Sequence, residues 1–562
     1  MIRPRQLRHA ASSRLARILV VVVPAVVVVA TVAGVAGSTS PRPPLDKQAV
    51  AQHLQKTAGR FMTAPAQAAL AMLANNTRQF GMSARTSQDG ADAGATSSAL
   101  RIANGAPTSS LGPGLTNVRV NNPAGDTQFI DQTTQSETAI AVAGQNIVVG
   151  YNDSQTTGLF LTAGSDLSGY SYSSDGGQTF TDGGALPNAP AFINLGDPWL
   201  GSDRAGNVYY ANLMIDGQTG ELDVGVAKST NGGKTFSAPT VISPRNNLFY
   251  FGDKESLAVG PDPKNKSRDN IYVAWDDDSL DENYNEALGL PVAHSTDGGN
   301  TWQVTYADQI PLDYNTCSFA QYIGATPAVA PNGVLYVAAE KFSVTDPDCT
   351  FDQPFVASEW IFKSTDGGQT FGPGKQISTV TETGDLSLGP GMVMRNLELP
   401  TIALGQGGGA NAPIYVAWND AASGHSNIRL ATSTDGSKTW KLAWATNGPN
   451  DQMQPALSSD SSGLHLLYYQ RNPDNTLDVV AASSTNGKPP FAPTRVTSQS
   501  FPGVFTFPQF DPIIAFGYMG DYIANVSDGT DQYYVWGDNR DTVTNILWPQ
   551  GRHDPDVFFA KQ

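Results

Sequence analysis

Ser295-Thr296-Asp297-Gly298-Gly299-Asn300-Thr301-Trp302 is one of six versions of a single octapeptide in this chain. The others occupy 173–180, 229–236, 364–371, 433–440 and, in degenerate form, 484–491. Each keeps Ser first, Asp or Asn third, Gly fourth and an aromatic eighth. A third-position Asp or Asn accepts backbone N–H groups inside a tight turn, and Gly adopts a positive φ without penalty. The closing aromatic is then delivered in one fixed direction. A device repeated in register signals an array, so the 562 residues are read mainly as one repeating body.

A second pattern runs out of phase with the first: a short apolar strand, a Gly or Asn turn, then an aromatic-rich strand ending in polar residues. It occupies 138–153, 198–213, 256–278, 327–340, 400–420, 455–471 and 522–540. Its second strands are plain in Ile271-Tyr272-Val273-Ala274-Trp275, Ile414-Tyr415-Val416-Ala417-Trp418 and Tyr533-Tyr534-Val535-Trp536. Alternation and β-branched content mark strands over helices.

The octapeptide resembles the Asp-box (BNR) repeat of the sialidase-like β-propellers, over about 117–561. The resemblance implies an all-β ring of four-stranded blades, A to D, with the octapeptide between C and D. Seven A–B pairs against six octapeptides favour seven blades, with six, the number in known sialidases, as the alternative. The seventh unit has A, B and a third strand at 556–560, and then the sequence ends. Segment 117–121 resembles D strands such as 494–497, so the two ends of the chain are expected to share the last blade and leave no open edge.

Ahead of the ring, residues 1–40 hold five Arg (3, 5, 8, 14 and 17) and no acid, followed by an almost uncharged run from Ile18 to Ala36. This reads as a signal peptide or an N-terminal membrane anchor, either of which places the remainder outside the cell. Residues 41–115, rich in Ala, Ser, Thr and Gln, read as a helical and low-complexity stalk with linker, and 116–562 as the propeller. The net charge of −17 becomes −22 once the five Arg are set aside, which argues against nucleic acid or anionic lipid as a partner of the body. Membrane contact is expected only through the N-terminal segment. Cys317 and Cys349, the two cysteines, suit one disulfide in an oxidising compartment. The chain has no CxxC, no HExxH and no phosphate-cradling glycine loop.

Strand order alone separates two rims. Where the A strands start and the B strands end, carboxylates and arginines gather; the octapeptides all fall on the opposite rim, as a folding device. Convergent polar groups round a propeller axis are the expected binding site. The candidate catalytic residues are Glu255, Glu398, Asp521 and Tyr522. The candidate substrate-binding residues are Glu137, Asp197, Lys254, Arg395, Arg471 and Arg540. Each also has a plainer use, capping strand ends and tying blades together. No cofactor is required; Asp276 and Asp278, in a dense acidic run, are the candidate ligands should Ca²⁺ bind.

Sialidases hold a substrate carboxylate with three arginines and use a tyrosine nucleophile, a supporting glutamate and an acid/base aspartate. The resemblance therefore implies a clamp of Arg395, Arg471 and Arg540, with Tyr522 or Tyr469 beside Glu398 as nucleophile pair. The Phe/Tyr-Arg-Ile-Pro motif of the first arginine is missing, and Asn117-Val118-Arg119-Val120 departs from it. The expected function is a secreted sialidase-like propeller acting on or binding extracellular glycans, with exo-sialidase-type glycoside hydrolysis as its enzymatic form. The alternative is a non-catalytic carbohydrate-binding or protein-interaction propeller of the cell envelope. The sugar, the linkage and the oligomeric state stay open.

Overall fold

Ile271 to Trp275 shows why this chain makes stacked sheets. Ile271, Val273 and Trp275 pack with Tyr209, Ala211 and Val224 of the preceding sheet. Tyr272 and Ala274 pack with Tyr322, Val337 and Phe362 of the following one. A two-residue period with both faces buried belongs to a strand held between sheets. The core is accordingly split into layers between neighbouring sheets, with Trp275, Trp418 and Trp536 fully buried in three of the blades.

The computed structural model describes residues 111–562 except 127–132, 156–164, 246, 282–285, 312–317, 346–354, 390–391, 407–411, 506–518 and 545–548. The chain falls into two units, Met1–Asp46 and Lys47–Gln562, and every described residue belongs to the second. The expected signal or anchor, the stalk up to residue 110 and the Cys317–Cys349 pair lie outside the described residues.

Within them the fold is a seven-bladed, all-β propeller of four-stranded blades. The first strands are Gln135–Ala143, the interrupted pair Phe192–Asn194 and Trp199–Ser202, Gly252–Pro261, Ser318–Val329, Thr401–Leu404, Gln452–Asp460 and Ala524–Ser527. They neighbour one another round the axis, and the last meets the first. In blade 7 the order is Ala524–Ser527, Gln532–Val543, Arg552–Lys561 and then Val118–Arg119. Val118 pairs with Phe559 and Arg119 with Phe558, so the ring closes as expected through its two ends. Arg119 bridges Asp556 at 2.7 Å and also Asp541. Asn121 donates to Asp556 Oδ1 at 2.6 Å and accepts from Val557 N at 3.0 Å. A small sheet that the sequence pattern did not announce joins Leu386–Ser387, Met392–Met394 and Val504–Phe505, tying the segment before blade 5 to the segment before blade 7.

The octapeptides lock each blade to the one before it. Ser295 Oγ donates to Asp297 Oδ1 at 2.8 Å and accepts from Gly299 N at 2.9 Å. Thr301 returns its amide and hydroxyl to Asp297 at 2.9 and 2.6 Å. The same bonds recur at Ser173/Asp175/Thr179 and Ser433/Asp435/Thr439. At Asp175 the Thr179 hydroxyl and amide, then Ser173, hold the carboxyl down at about 2. The closing aromatics Phe180, Phe236, Trp302, Phe371, Trp440 and Phe491 each enter the core layer shared with the preceding blade. The fifth residue is pressed onto that neighbour too. A Cβ on Gly233 would stand 2.0 Å from Val148 Cγ2, at a φ of +83°.

Two outcomes test this account. Gly233→Ala is expected to destabilise by about 2–4 kcal/mol, since left-handed strain and overpacking act together. Gly184→Ala, at φ +72° with nothing within 4 Å, should carry only the strain; equal losses in urea unfolding would refute the contact argument. Removing residues 1–122 should cost at least about 3 kcal/mol, because Asp556 stays buried without Arg119. Removing 1–110 should leave the melting temperature unchanged.

Candidate functional site

The inner strands do not run straight to the axis. In blades 1, 3, 4 and 6 the first strand slips register against the second, between Ser136/Ala139, Asp253/Ser256, Ile323/Thr326 and Met453/Ala456. A bulge of this kind adds a residue and re-aims the side chains around it. The inserted residues Glu137, Lys254, Gly324 and Gln454 have φ of 55°, 51°, 65° and 51°. Asp197, in the gap that interrupts the inner strand of blade 2, has φ 55°. Four non-glycine residues thus hold left-handed backbone at one level of the ring, at roughly 1–3 kcal/mol each. All four are polar and buried. The octapeptide turns follow the third strands and so fall at the far end of the sheets.

Asp521, just ahead of the inner strand of blade 7, is the hub. Lys254 Nζ reaches its Oδ2 at 2.6 Å from blade 3, with both side chains buried. Burial pulls the Lys254 ammonium down, and Asp521, with Asp253 and Glu137 behind it, more than restores it. Arg395 Nε stands 3.2 Å from Asp521 Oδ1, as an ion pair without hydrogen-bond alignment. Asp521 N donates to Glu137 Oε1 at 3.1 Å, and Asn152 Nδ2 to Glu137 Oε2 at 2.6 Å. Asn152 Oδ1 in turn accepts from Asp197 N at 2.7 Å. Gln454 Nε2 donates to Gly520 O at 2.8 Å and to Arg395 O at 3.2 Å. The Tyr522 hydroxyl donates to Pro198 O at 2.9 Å, and its ring leans on Trp199 with centroids 5.2 Å apart. Blades 1, 2, 3, 6 and 7 therefore meet at one place on the axis.

Among the described residues, two carboxyls there meet no donor from another residue. Neither oxygen of Asp197 or of Glu255 meets one, and both side chains are buried. Burial first, and then Glu137, Asp253 and Glu255, push Asp197 well up. Burial, then Asp253 and Glu137, do the same to Glu255. A carboxyl raised in this way keeps its proton to higher pH than an exposed one, which suits general acid–base work. Below them a cavity of about 90 Å³ runs along the axis, lined by Trp199, Lys254, Glu255, Gln454, Asp521 and Tyr522 among others. It has room for a few waters and none for a sugar ring.

The structure therefore brings together Glu137, Asp197, Lys254, Glu255, Arg395, Asp521 and Tyr522, and leaves the other candidates elsewhere. Glu398 Oε1 accepts from the Thr383 hydroxyl at 2.6 Å and from its amide, beside Glu359 and Asp420. Arg471 is held by Asp451 at 3.0 Å and Asn475 at 2.6 Å. Arg540 pairs with Asp538, donates to Asn117 Oδ1 at 3.0 Å and lies over Phe558 at 4.1 Å. The three arginines form no common clamp in this arrangement. Asp276 is raised by burial and then by Asp278, whose Oδ2 accepts from Gln321 Nε2 at 2.6 Å. Among the described residues no group of three or more His, Cys, Asp or Glu side chains is placed to hold a metal ion. Asn152 and Trp199 belong to the cluster without having been singled out, and Gln454, a strand entry that the sequence places on the same rim, joins them. The polar–Pro steps Asp197-Pro198 and Gln454-Pro455 at strand starts were the signal for Gln454.

No protein-family model and no curated protein sequence matches the chain. Solved structures do. A Hadza microbial sialidase is 15% identical over 66% of this chain and 67% of its own, with a TM-score of 0.38. An α-L-arabinofuranosidase of Fusarium graminearum is 13% identical over 65% and 96%, with a TM-score of 0.40. The phage phi92 endosialidase is 11% identical over 80% and 69%, with a TM-score of 0.40. The blade count rests on the strand order alone.

One test concerns the hub. Lys254→Met leaves Asp521 buried with Arg395 as its remaining cation, at an expected loss of about 3–5 kcal/mol. Lys254→Met/Asp521→Leu should recover most of that loss in urea unfolding. Two equally unstable variants would show that the pair is not the source.

Proposed function

We propose that the protein is an extracellular, glycan-acting propeller that hydrolyses glycosidic bonds at the axial cluster, with Glu255 as general acid and Asp197 as its partner carboxylate, a reaction for which the small axial cavity must widen to admit the sugar. One observation carries this reading: Glu137, Asp197, Lys254 and Gln454 all hold strained backbone on one ring while Asp197 and Glu255 stay without external donors. Strain and unmet acceptors both oppose folding, and both concentrate where a ligand is to be met. The resemblance of the octapeptide to sialidase-like propellers supports carbohydrate as the class. Two carboxyls raised by burial and mutual repulsion fit the acid–base pair that glycoside hydrolysis requires. The Arg-rich N-terminal segment ahead of an apolar run supports export.

The second reading is a propeller that binds glycans without cleaving them. It draws on the ties across the axis, Lys254–Asp521 and Tyr522–Pro198, which use the same side chains to hold the ring.

Turnover of a panel of aryl glycosides and binding to a glycan array by the purified protein test the proposal. Glu255→Gln and Asp197→Asn are expected to lower kcat/KM by about 10²-fold or more with the melting temperature kept. Parent activity should fall on the alkaline side, as Glu255 loses the proton that burial lets it hold. Binding without turnover would select the second reading. A protein that neither binds nor cleaves any glycan would overturn both.

A further inference from the structure

We infer that Lys254 and Asp521 condense to an amide, a covalent bond that joins blade 3 to blade 7 across the axis. The inference is independent of what the ring binds. Lys254 Nζ and Asp521 Oδ2 stand 2.6 Å apart with both side chains buried, and the two residues lie 267 positions apart in the chain. Lys254 is the inserted residue of its bulge, at φ 51°, so strained backbone delivers its side chain to that carboxyl. An amine and a carboxyl fixed in this way meet at an effective concentration of about 10⁵ M or more.

Burial decides between the salt and the amide. In water two hydrated ions are preferred; in a sealed site that hydration is forfeited, and the uncharged product gains. Asp521, Asp253 and Glu137 keep the Lys254 ammonium protonated against burial and Arg395, so the first step is a transfer within the pair. One proton passes from Nζ to Oδ2 along the 2.6 Å contact, leaving a neutral amine beside a neutral acid. The Nζ lone pair then forms the N–Cγ bond, and charge collects on Oδ1, 3.2 Å from Arg395 Nε. A second proton leaves Nζ through Glu137, which already accepts from Asp521 N at 3.1 Å, and reaches Oδ2. The Cγ–Oδ2 bond breaks, and Oδ2 departs as water carrying both protons. The adjoining cavity of about 90 Å³ has room for it. No oxidant and no outside reactant enters.

Mass spectrometry of the purified, denatured protein tests this, with its N-terminus read by sequencing. The parent is expected about 18 Da, one water, below the mass of its unjoined chain. Lys254→Arg keeps a cation that cannot close the amide, and should show its full sequence mass. Trypsin should release 246–264 joined to 496–540 from the parent, because an acylated Lys254 is no longer cut. A parent of full mass, yielding 246–254 and 496–540 as separate peptides, overturns the inference, and this reading stands even where the variant fails to fold. In the joined protein Lys254→Met/Asp521→Leu restores the charge balance of the hub and not the bond, so the recovery expected above belongs to the unjoined pair.

Discussion

A ring of sheets is free of open edges only if its last sheet is finished by residues from the other end of the chain. Val118 and Arg119 meet that constraint by lying against Phe559 and Phe558. The rest of the structure depends on this pairing. Every other blade is built from consecutive strands, and each could form its own sheet, but the layers between blades fill only when the circle is complete. The closing strand is two residues long, and side chains reinforce it. Arg119 is held by two carboxylates, Asn121 caps the partner strand, and the Arg540 guanidinium stacks on Phe558. Backbone pairing alone at that length would be weak.

Inside the ring the layers repeat one solution. A period-two strand buries both faces, and an octapeptide sends its aromatic backwards into the previous layer. Serine, aspartate and threonine within eight residues satisfy one another, so the turn is self-sufficient and its geometry is independent of the blade that carries it. That local closure is why the octapeptides were legible in the sequence, and why counting them against the strand pairs led to seven blades. The small sheet at Leu386–Ser387, Met392–Met394 and Val504–Phe505 escaped notice for the opposite reason. Strands of two or three residues have no periodicity to read, and the pairing of Met392–Met394 with Val504–Phe505 spans more than a hundred residues.

The axial cluster was legible by position and not by partner. Strand starts and ends place Glu137, Asp197, Lys254, Glu255 and Asp521 near the axis whatever their contacts. The bulges were invisible, because Glu, Lys and Gln carry no signature of left-handed backbone, and around the cluster Gly196, Gly324 and Gly520 show the expected residue for it. Arg471 and Arg540 were placed on the correct rim, yet the choice between a ligand and a neighbouring carboxylate is made by side-chain reach. Asp451 lies opposite Arg471 across the sheet edge, and Asp538 stands two residues before Arg540. Glu398 failed to join for a similar reason, since the Thr383 segment reaches it first.

Blade 7 is fastened at two radii. Val118–Arg119 clasps its outer edge, and Asp521, at the start of its inner strand, is tied across the axis to Lys254. Peeling the outer strand away leaves the inner tie in place, and releasing the inner tie leaves the outer strand paired. Solvent protons reach the amides between the two fastenings only through an opening that undoes both together. Hydrogen exchange in Gln532–Val543 and Arg552–Lys561 is therefore bound to the opening of the whole ring and not to the fraying of its seam.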